Sequence, residues 1–318
     1  MNILISGSLA FDRVMDFPGR FAEHILPEKL HILNVCFMIN ELKENFGGTA
    51  GNIAYALSLF GATPKILATA GRDFAPYMDW LQTHNISTKH VKIIQSELTA
   101  GAYITTDCSN NQLTAFNPGA MKYQSDFDFS TVSAKDTIAI VSPGNLTDML
   151  SFTRIYKEKG INYIFDPGQS LPLWGKEELL DMINGSSIFI SNDYELELTL
   201  EKTDQKIEDL LKLTGLVLTT KGEHGSTITL KDGSINIPGI PTKEVKDPTG
   251  AGDAYRGGLI MGLLLKDKDI EHAAKMGALC ATYAVEVYGT QNFTFTKEEF
   301  NARFKNIFNV SAFPYDKY

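Results

Sequence analysis

Between residues 137 and 203 the chain switches its hydrophobic pattern back and forth, and this alternation limits the available folds more than any other feature. Thr137–Val141, Tyr163–Phe165 and Ile188–Ser191 are short apolar runs of the kind that form strands buried on both faces. Leu146–Glu158 and Glu177–Ile183 read as helices between them, and a further helix opens at Asn192. Strand and helix in steady order predict right-handed crossovers and an α/β fold with a mostly parallel sheet sandwiched by helices. The same reading gives strands at residues 2–8, Lys65–Ala70 and Ser226–Leu230, and helices at Tyr55–Gly61, Ala75–Thr83, Glu271–Val285 and Lys297–Phe308. The 318 residues show no repeat, low-complexity tract or Pro/Gly/Ser linker. We therefore expect one domain over residues 1–310, followed by a tail, 311–318, to which no role is assigned.

A net charge of −9 argues against broad attraction to nucleic acid, and no apolar run approaches the ~20 residues of a membrane span. The N-terminus lacks a basic start and reads as the first core strand, not a signal peptide. Cys36, Cys108 and Cys280 are widely separated and show no Cys-x-x-Cys spacing, so neither a disulfide framework nor a zinc site is suggested. A reducing cytoplasm fits best.

In an acidic chain, an anionic ligand has to be held locally. The stretch from Asp247 to Gly258 offers a way: it reads as following the strand-like Ser234–Pro238 and opening onto the apolar helical run Leu259–Leu265. Gly250 and Gly252 would then sit at a strand-to-helix turn, where free amides and the positive end of the helix dipole favour an anion and no Cβ blocks its approach. A carboxylate among anion-binding amides suggests proton transfer, which makes Asp253 the candidate general base. Gly47 and Gly48 again precede a helix. Asp12 follows the first strand, the usual place for ligand contacts in open α/β sheets, although it equally serves as a turn cap.

Asp-x-Thr-Gly-Ala-Gly-Asp at 247–253, followed by Ala-Tyr-Arg-Gly-Gly, resembles the C-terminal signature of the ribokinase-like (PfkB) carbohydrate and nucleoside kinases. The resemblance runs in order from residue 1 to about 308. It implies a small β-sheet lid, from segments at about 13–45 and 97–120, the second of them a hairpin turning at Asp107–Asn111. It also implies that Asp12, Gly48 and the amide of Asn52, in a Gly-Gly-x-x-x-Asn motif with Gly47, hold substrate hydroxyls. Asp253 would be the base, with the Gly250, Ala251 and Gly252 amides stabilising charge. ATP would meet Asn192 and Glu195, the turn at Thr220, Gly222 and Gly225, and the small residues Gly277 and Ala281 of a shallow helix face. Glu195 would organise water around Mg2+, and Asp247, Thr249 and Gly289 would surround a monovalent cation such as K+ in parts of the family. A monomer or a homodimer through the lid is implied by analogy.

Taken without the resemblance, Asn192 and Glu195 are a capping-box helix start, 220–225 is a turn, and the small residues of 49–51 and 273–284 serve helix packing. No Gly-x4-Gly-Lys-Ser/Thr and no Gly-x-Gly-x-x-Gly after the first strand occurs, which removes a P-loop kinase and a dinucleotide-binding dehydrogenase. The N-terminal half is most similar to the family's adenosine and nucleoside kinases. Phe17, Phe21, Phe37, Met38, Tyr103 and Phe116 suit a nucleobase, unless they form the lid's own core. A sugar kinase, or a catalytically silent binding protein on the same scaffold, are the other readings.

Overall fold

A computed structural model describes residues 1–313 apart from 110, 243 and 266–268. Part of the expected tail (314–318) and Asn110 of the expected hairpin turn lie outside the described residues. The chain begins with β1 (Asn2–Ser6), β2 (Ala10–Asp16), the short α1 (Phe21–His24), β3 (Glu41–Gly47) and α2 (Thr49–Leu59). Next come β4 (Lys65–Gly71), α3 (Ala75–Thr83), β5 (Val91–Ile94), β6 (Ala100–Thr106) and β7 (Gln112–Asn117). The alternating middle follows: β8 (Thr137–Val141), α4 (Leu146–Lys159), β9 (Asn162–Phe165), α5 (Lys176–Ile183), β10 (Ile188–Asn192), α6 (Asp193–Thr203) and α7 (Ile207–Leu210). β11 (Val217–Thr220), β12 (Ser226–Leu230), β13 (Gly233–Ile237), α8 (Ala251–Leu263), α9 (Ile270–Val285) and α10 (Lys297–Phe308) complete it.

Nine strands form the main sheet in the order β13-β12-β11-β10-β9-β8-β1-β4-β5. It is parallel from β11 to β5, and β12 and β13 run antiparallel at one edge. Helices cover both faces, so the central strands are apolar throughout: β8 is buried along its whole length, and two apolar cores lie on either side. β3, β2, β6 and β7 make a separate four-stranded sheet, with β2 and β6 parallel and the outer pairs antiparallel. The structure thus has the expected α/β architecture with a small second sheet.

Three details differ from the sequence reading. Asp12 lies inside β2 of the small sheet and not on a loop after the first strand, because β1 ends at Ser6 and the chain crosses at once to the second sheet. Residues 238–250 separate β13 from α8, so the glycines do not stand at a tight strand-to-helix turn. α8 itself starts at Ala251, well before the apolar run, because its early residues pack against other helices and need no long side chains to do so.

One of these contacts is with α9. A Cβ built on Gly258 would stand 2.6 Å from the Met276 carbonyl oxygen, 2.8 Å from Cys280 Cβ and 2.9 Å from Gly277 Cα. Two of those atoms are backbone and cannot rotate away. Gly258→Val should therefore lower the melting temperature by roughly 2–12 °C, from ~1–3 kcal/mol of overpacking and about 2–4 °C per kcal/mol in larger domains. An unchanged thermal unfolding curve would contradict this helix contact.

Candidate active site

α8 opens at Gly250, whose left-handed φ of 75° is cheap only for glycine. The Ala251 amide turns back to the Pro248 carbonyl at 3.2 Å. Gly252 and Asp253 follow in the first turn, where helix geometry provides amides with no intrahelical acceptor and the dipole is positive. Such a helix start can attract an anion. Its charge balance is unusual, because Asp253 stands in the same turn.

The Asp253 carboxylate is partly buried and its Oδ2 accepts from Asn52 Nδ2 at 2.8 Å. A carboxylate only accepts, so this contact fixes which way the Asn52 amide points. Asn52 Oδ1 then accepts from Gln291 Nε2 at 3.0 Å, and the same nitrogen donates to the Tyr77 hydroxyl at 2.6 Å. Tyr77 passes its own proton to the Gly47 carbonyl at 2.8 Å, and Gln291 Oε1 accepts from Trp80 Nε1 at 2.9 Å. A buried relay from α3 and the segment after α9 thus aims Asn52 at Asp253.

Gly48, at φ 86°, caps α2 and presses on residues 8–10: an added Cβ would lie 2.6 Å from the Ser8 carbonyl oxygen. That contact places the start of α2 beside β2 and Asp12. Asp12 lies against Gly47. Burial, then the negative charge of Asp247, pushes the Asp12 carboxyl up to about 6. Asp253 is also raised to about 6, by burial first; Arg256 and the Asn52 hydrogen bond pull it down, and Asp166 and Asp12 push it up. Asp247 behaves differently. Burial raises it, but hydrogen bonds from Thr249 and from the Gly289 amide (3.0 Å) outweigh that and hold it below its ordinary value. The Asp247, Thr249 and Gly289 proposed for a cation are thus brought together, with both Asp247 oxygens accepting.

The residues expected around ATP lie at the C-terminal ends of parallel strands, where open α/β sheets bind ligands. Asn192 ends β10 and pairs in register with Thr220, which ends β11. Asn192 Oδ1 accepts from the Glu195 amide at 2.7 Å and Glu195 Oε2 from the Asn192 amide at 2.9 Å, a reciprocal cap that begins α6. Gly222 is open to its surroundings, whereas Gly225 packs on β13. Gly277 is buried against Tyr255 of α8, which gives it a packing reason to be glycine, and Ala281 is half-buried one turn on. Burial and the charge of Asp166 raise the Glu195 carboxyl. Among the described residues no group of three or more His, Cys, Asp or Glu side chains converges on a metal position.

The family model for pfkB family carbohydrate kinases matches residues 31–297. The chain belongs to this family. A nucleoside kinase from Methanocaldococcus jannaschii is 33% identical over 83% of this chain and 87% of its own sequence. A solved nucleoside kinase from Burkholderia thailandensis in complex with inosine superposes with a TM-score of 0.82, at 36% identity and covering 97% of this chain and 99% of its own. The solved Methanocaldococcus jannaschii nucleoside kinase, an archaeal member of the ribokinase family, gives a TM-score of 0.85 at 29% identity, covering 96% and 99%.

Within this pfkB kinase, sequence reasoning missed Asp166 and Arg256. Arg256 Nη2 donates to Asp166 Oδ1 at 2.8 Å, and Nε lies 2.5 Å from Oδ2 without hydrogen-bond geometry, a buried ion pair beneath the start of α8. An acid directly after a strand and an arginine one turn along the helix from Asp253 were the available signals. Gln291, Tyr77 and Trp80 carried no local signal.

The raised Asp253 carboxyl has a stability consequence. Its folded value of about 6 exceeds the ordinary 3.8, so the folded state binds the proton more tightly. The resulting stabilisation is complete below pH 3.8 and is lost as pH rises through about 6. Asp253→Asn should therefore melt a few degrees higher than the parent at pH 8, with the gain vanishing by pH 4 in scanning calorimetry. A lower melting temperature at pH 8 would mean that the ionised carboxylate stabilises the fold.

Proposed function

We propose that this kinase transfers the γ-phosphoryl group of ATP to the primary, 5′-type hydroxyl of a purine nucleoside, adenosine or its 6-oxo relative inosine, with Asp253 as the base. The observation that carries the nucleoside reading is a row across the small sheet. Asn45, Asp12, Ala102 and Phe116 are register partners on β3, β2, β6 and β7, so their side chains project from one face. Asp12 is the residue of that row whose charge acts on Asp253. Two strands away, at about 4.8 Å per strand, Phe116 is 52% exposed. A ribose whose vicinal hydroxyls both donate to the Asp12 carboxylate would extend its base over Ala102, which is small, towards the Phe116 ring. The likeness to a kinase solved with inosine supports the same class.

The chemistry follows from the residues. Asp253 accepts the proton of the primary hydroxyl while that oxygen bonds to the γ-phosphorus; the bond to the β–γ bridging oxygen breaks and ADP leaves. The amides of the α8 first turn and the helix dipole lie where negative charge accumulates. Asn52, held by Gln291, keeps the base aligned. Mg2+ on the triphosphate would neutralise phosphate charge, and Glu195 fits its water shell, since only Oε2 is engaged by the Asn192 amide. Asp247 and Thr249 before α8, with Gly289 after α9, would be the residues to hold K+.

One observation favours a sugar acceptor instead. Phe17, Phe21 and Phe37 pack on one another, with ring centroids 4.8–5.8 Å apart, and so form a core of their own between β2 and β3. Phe116 takes no part in that cluster, which keeps the nucleoside reading in front.

A panel of adenosine, inosine, other nucleosides, ribose and fructose with Mg-ATP separates the readings. Nucleosides should exceed ribose at least about tenfold in kcat/KM, and Phe116→Ala should cut the nucleoside value by about ten- to a hundredfold while moving the ribose value far less. Asp253→Asn should lower kcat by about 10²–10⁴-fold. Because Asp12 and Asp253 both have to be ionised and both sit near 6, kcat/KM should fall below pH 6 with a slope that approaches two protons. Ribose or fructose outperforming every nucleoside would make this a sugar kinase. Near-normal turnover in Asp253→Asn would remove that residue from the mechanism.

A further inference from the structure

Among the described residues Arg256 is the only buried Lys or Arg, and the reaction as derived above gives it no task. Its side chain is 8% exposed and that of Asp166 is 2% exposed. Asp166 faces the Nε and Nη2 edge of the guanidinium fork, and of the two only Nη2 donates a hydrogen bond to it. Nη1 is left beneath Gly252, where an added Cβ would stand only 2.7 Å from it. Gly252 therefore has no side chain for two reasons: an anion approaches from above, and a fixed cation lies below. Helix spacing puts Arg256 one turn on from both Gly252 and Asp253, on the same face.

We propose that Arg256, pinned by Asp166 under the first turn of α8, is a positioning residue that holds Asp253 in its proton-accepting form. This rests on the reading of Asp253 as the base. The groups that face Asp253 are Asn52 from α2, Asp12 from β2, Asp166 after β9 and Tyr77 from α3, with Arg256 on its own helix. Glu195 of α6 faces Arg256 in turn. Three carboxylates, Asp166, Glu195 and Asp253, thus share one positive charge. Take that charge away and Asp253 has only like charges and two neutral neighbours. An adjacent cation typically moves a carboxylate by about 1–3 pH units, so the effect is large enough to decide whether the base is ionised at neutral pH.

The test is the titration of the Asp253 carboxyl carbon by NMR in ligand-free, 13C-aspartate-labelled full-length protein, with the resonance identified by its loss in Asp253→Asn. Arg256→Gln should raise the midpoint by about one pH unit or more, and Asp166→Asn should lower it, because the opposing charge has gone while the guanidinium remains. Arg256→Lys keeps the charge and should stay nearer the parent. Should Arg256→Gln alone fail to fold, Arg256→Gln/Asp166→Asn removes both charges of the pair, and its midpoint should still lie above the parent's, because Arg256 acts on Asp253 more strongly than Asp166 does. In each variant the acid limb of kcat/KM should follow the carboxyl.

A merely structural Arg256 would leave the midpoint in place, or move it the same way in Arg256→Gln and Asp166→Asn, and either result overturns the proposal. The substrate reading fails separately. If the parent phosphorylates nothing in the panel while the midpoints move as described, the acceptor has been misidentified and the role of Arg256 stands. If nucleosides are phosphorylated and the midpoints do not move, the role of Arg256 falls alone.

Discussion

The close approach of α8 to two other helices is the constraint on which the site depends. On one side, a Cβ at Gly257 would meet Ala56 Cβ at 2.5 Å; on the other, a Cβ at Gly262 would meet Ala273 of α9. Small residues at these crossings let the backbones approach and leave no play between them. The α2–α8 crossing brings Asn52 to 2.8 Å from Asp253 across 201 residues of sequence. Widening that crossing by one methyl group would separate Asp253 from Asn52 before it touched either residue.

The same packing concentrates carboxylates. Asp12, Asp166, Asp247 and Asp253 influence one another, and burial raises all but Asp247, whose two hydrogen bonds outweigh it. Folding has to assemble this cluster against both desolvation and like-charge repulsion. The apolar cores on either side of the main sheet supply the driving force, and the site is the place where some of it is spent.

Much of this was legible in the sequence because it was local. The buried strands β8, β9 and β10 are short apolar runs, the glycine-rich stretch at 247–258 is a contiguous motif, and the cap of α6 is a four-residue pattern; each requires only neighbours along the chain. What escaped depends on distance. Asp12 reads as a loop residue because nothing local says that the chain leaves the main sheet after Ser6. Asn52 reads as a contact for substrate hydroxyls, yet its amide is turned to Asp253 by Gln291, which lies 239 residues away. Arg256 sat in plain view inside the motif, and its partner 90 residues earlier gave it meaning. The start of α8 was misplaced for a related reason: Gly252, Gly257 and Gly258 are poor helix signals, and here tertiary contact, not propensity, makes them helical.

Asp12 and Asp253 belong to different sheets' territories. Asp12 belongs to the small sheet, which is joined to the main body by residues 7–9, by Gly48, by hydrogen bonds from Tyr77 to the Gly47 carbonyl and from Thr290 to the Phe46 carbonyl, and by the Arg13–Asp73 ion pair at 3.9 Å. Asp253 is locked into the main body between helices. A molecule that donates to one carboxylate and loses a proton to the other therefore acts as a caliper across the gap. Its length, from vicinal hydroxyls to primary hydroxyl, has to match the separation of the two layers, and a compound with the right groups at the wrong reach would occupy the site without being lined up for transfer.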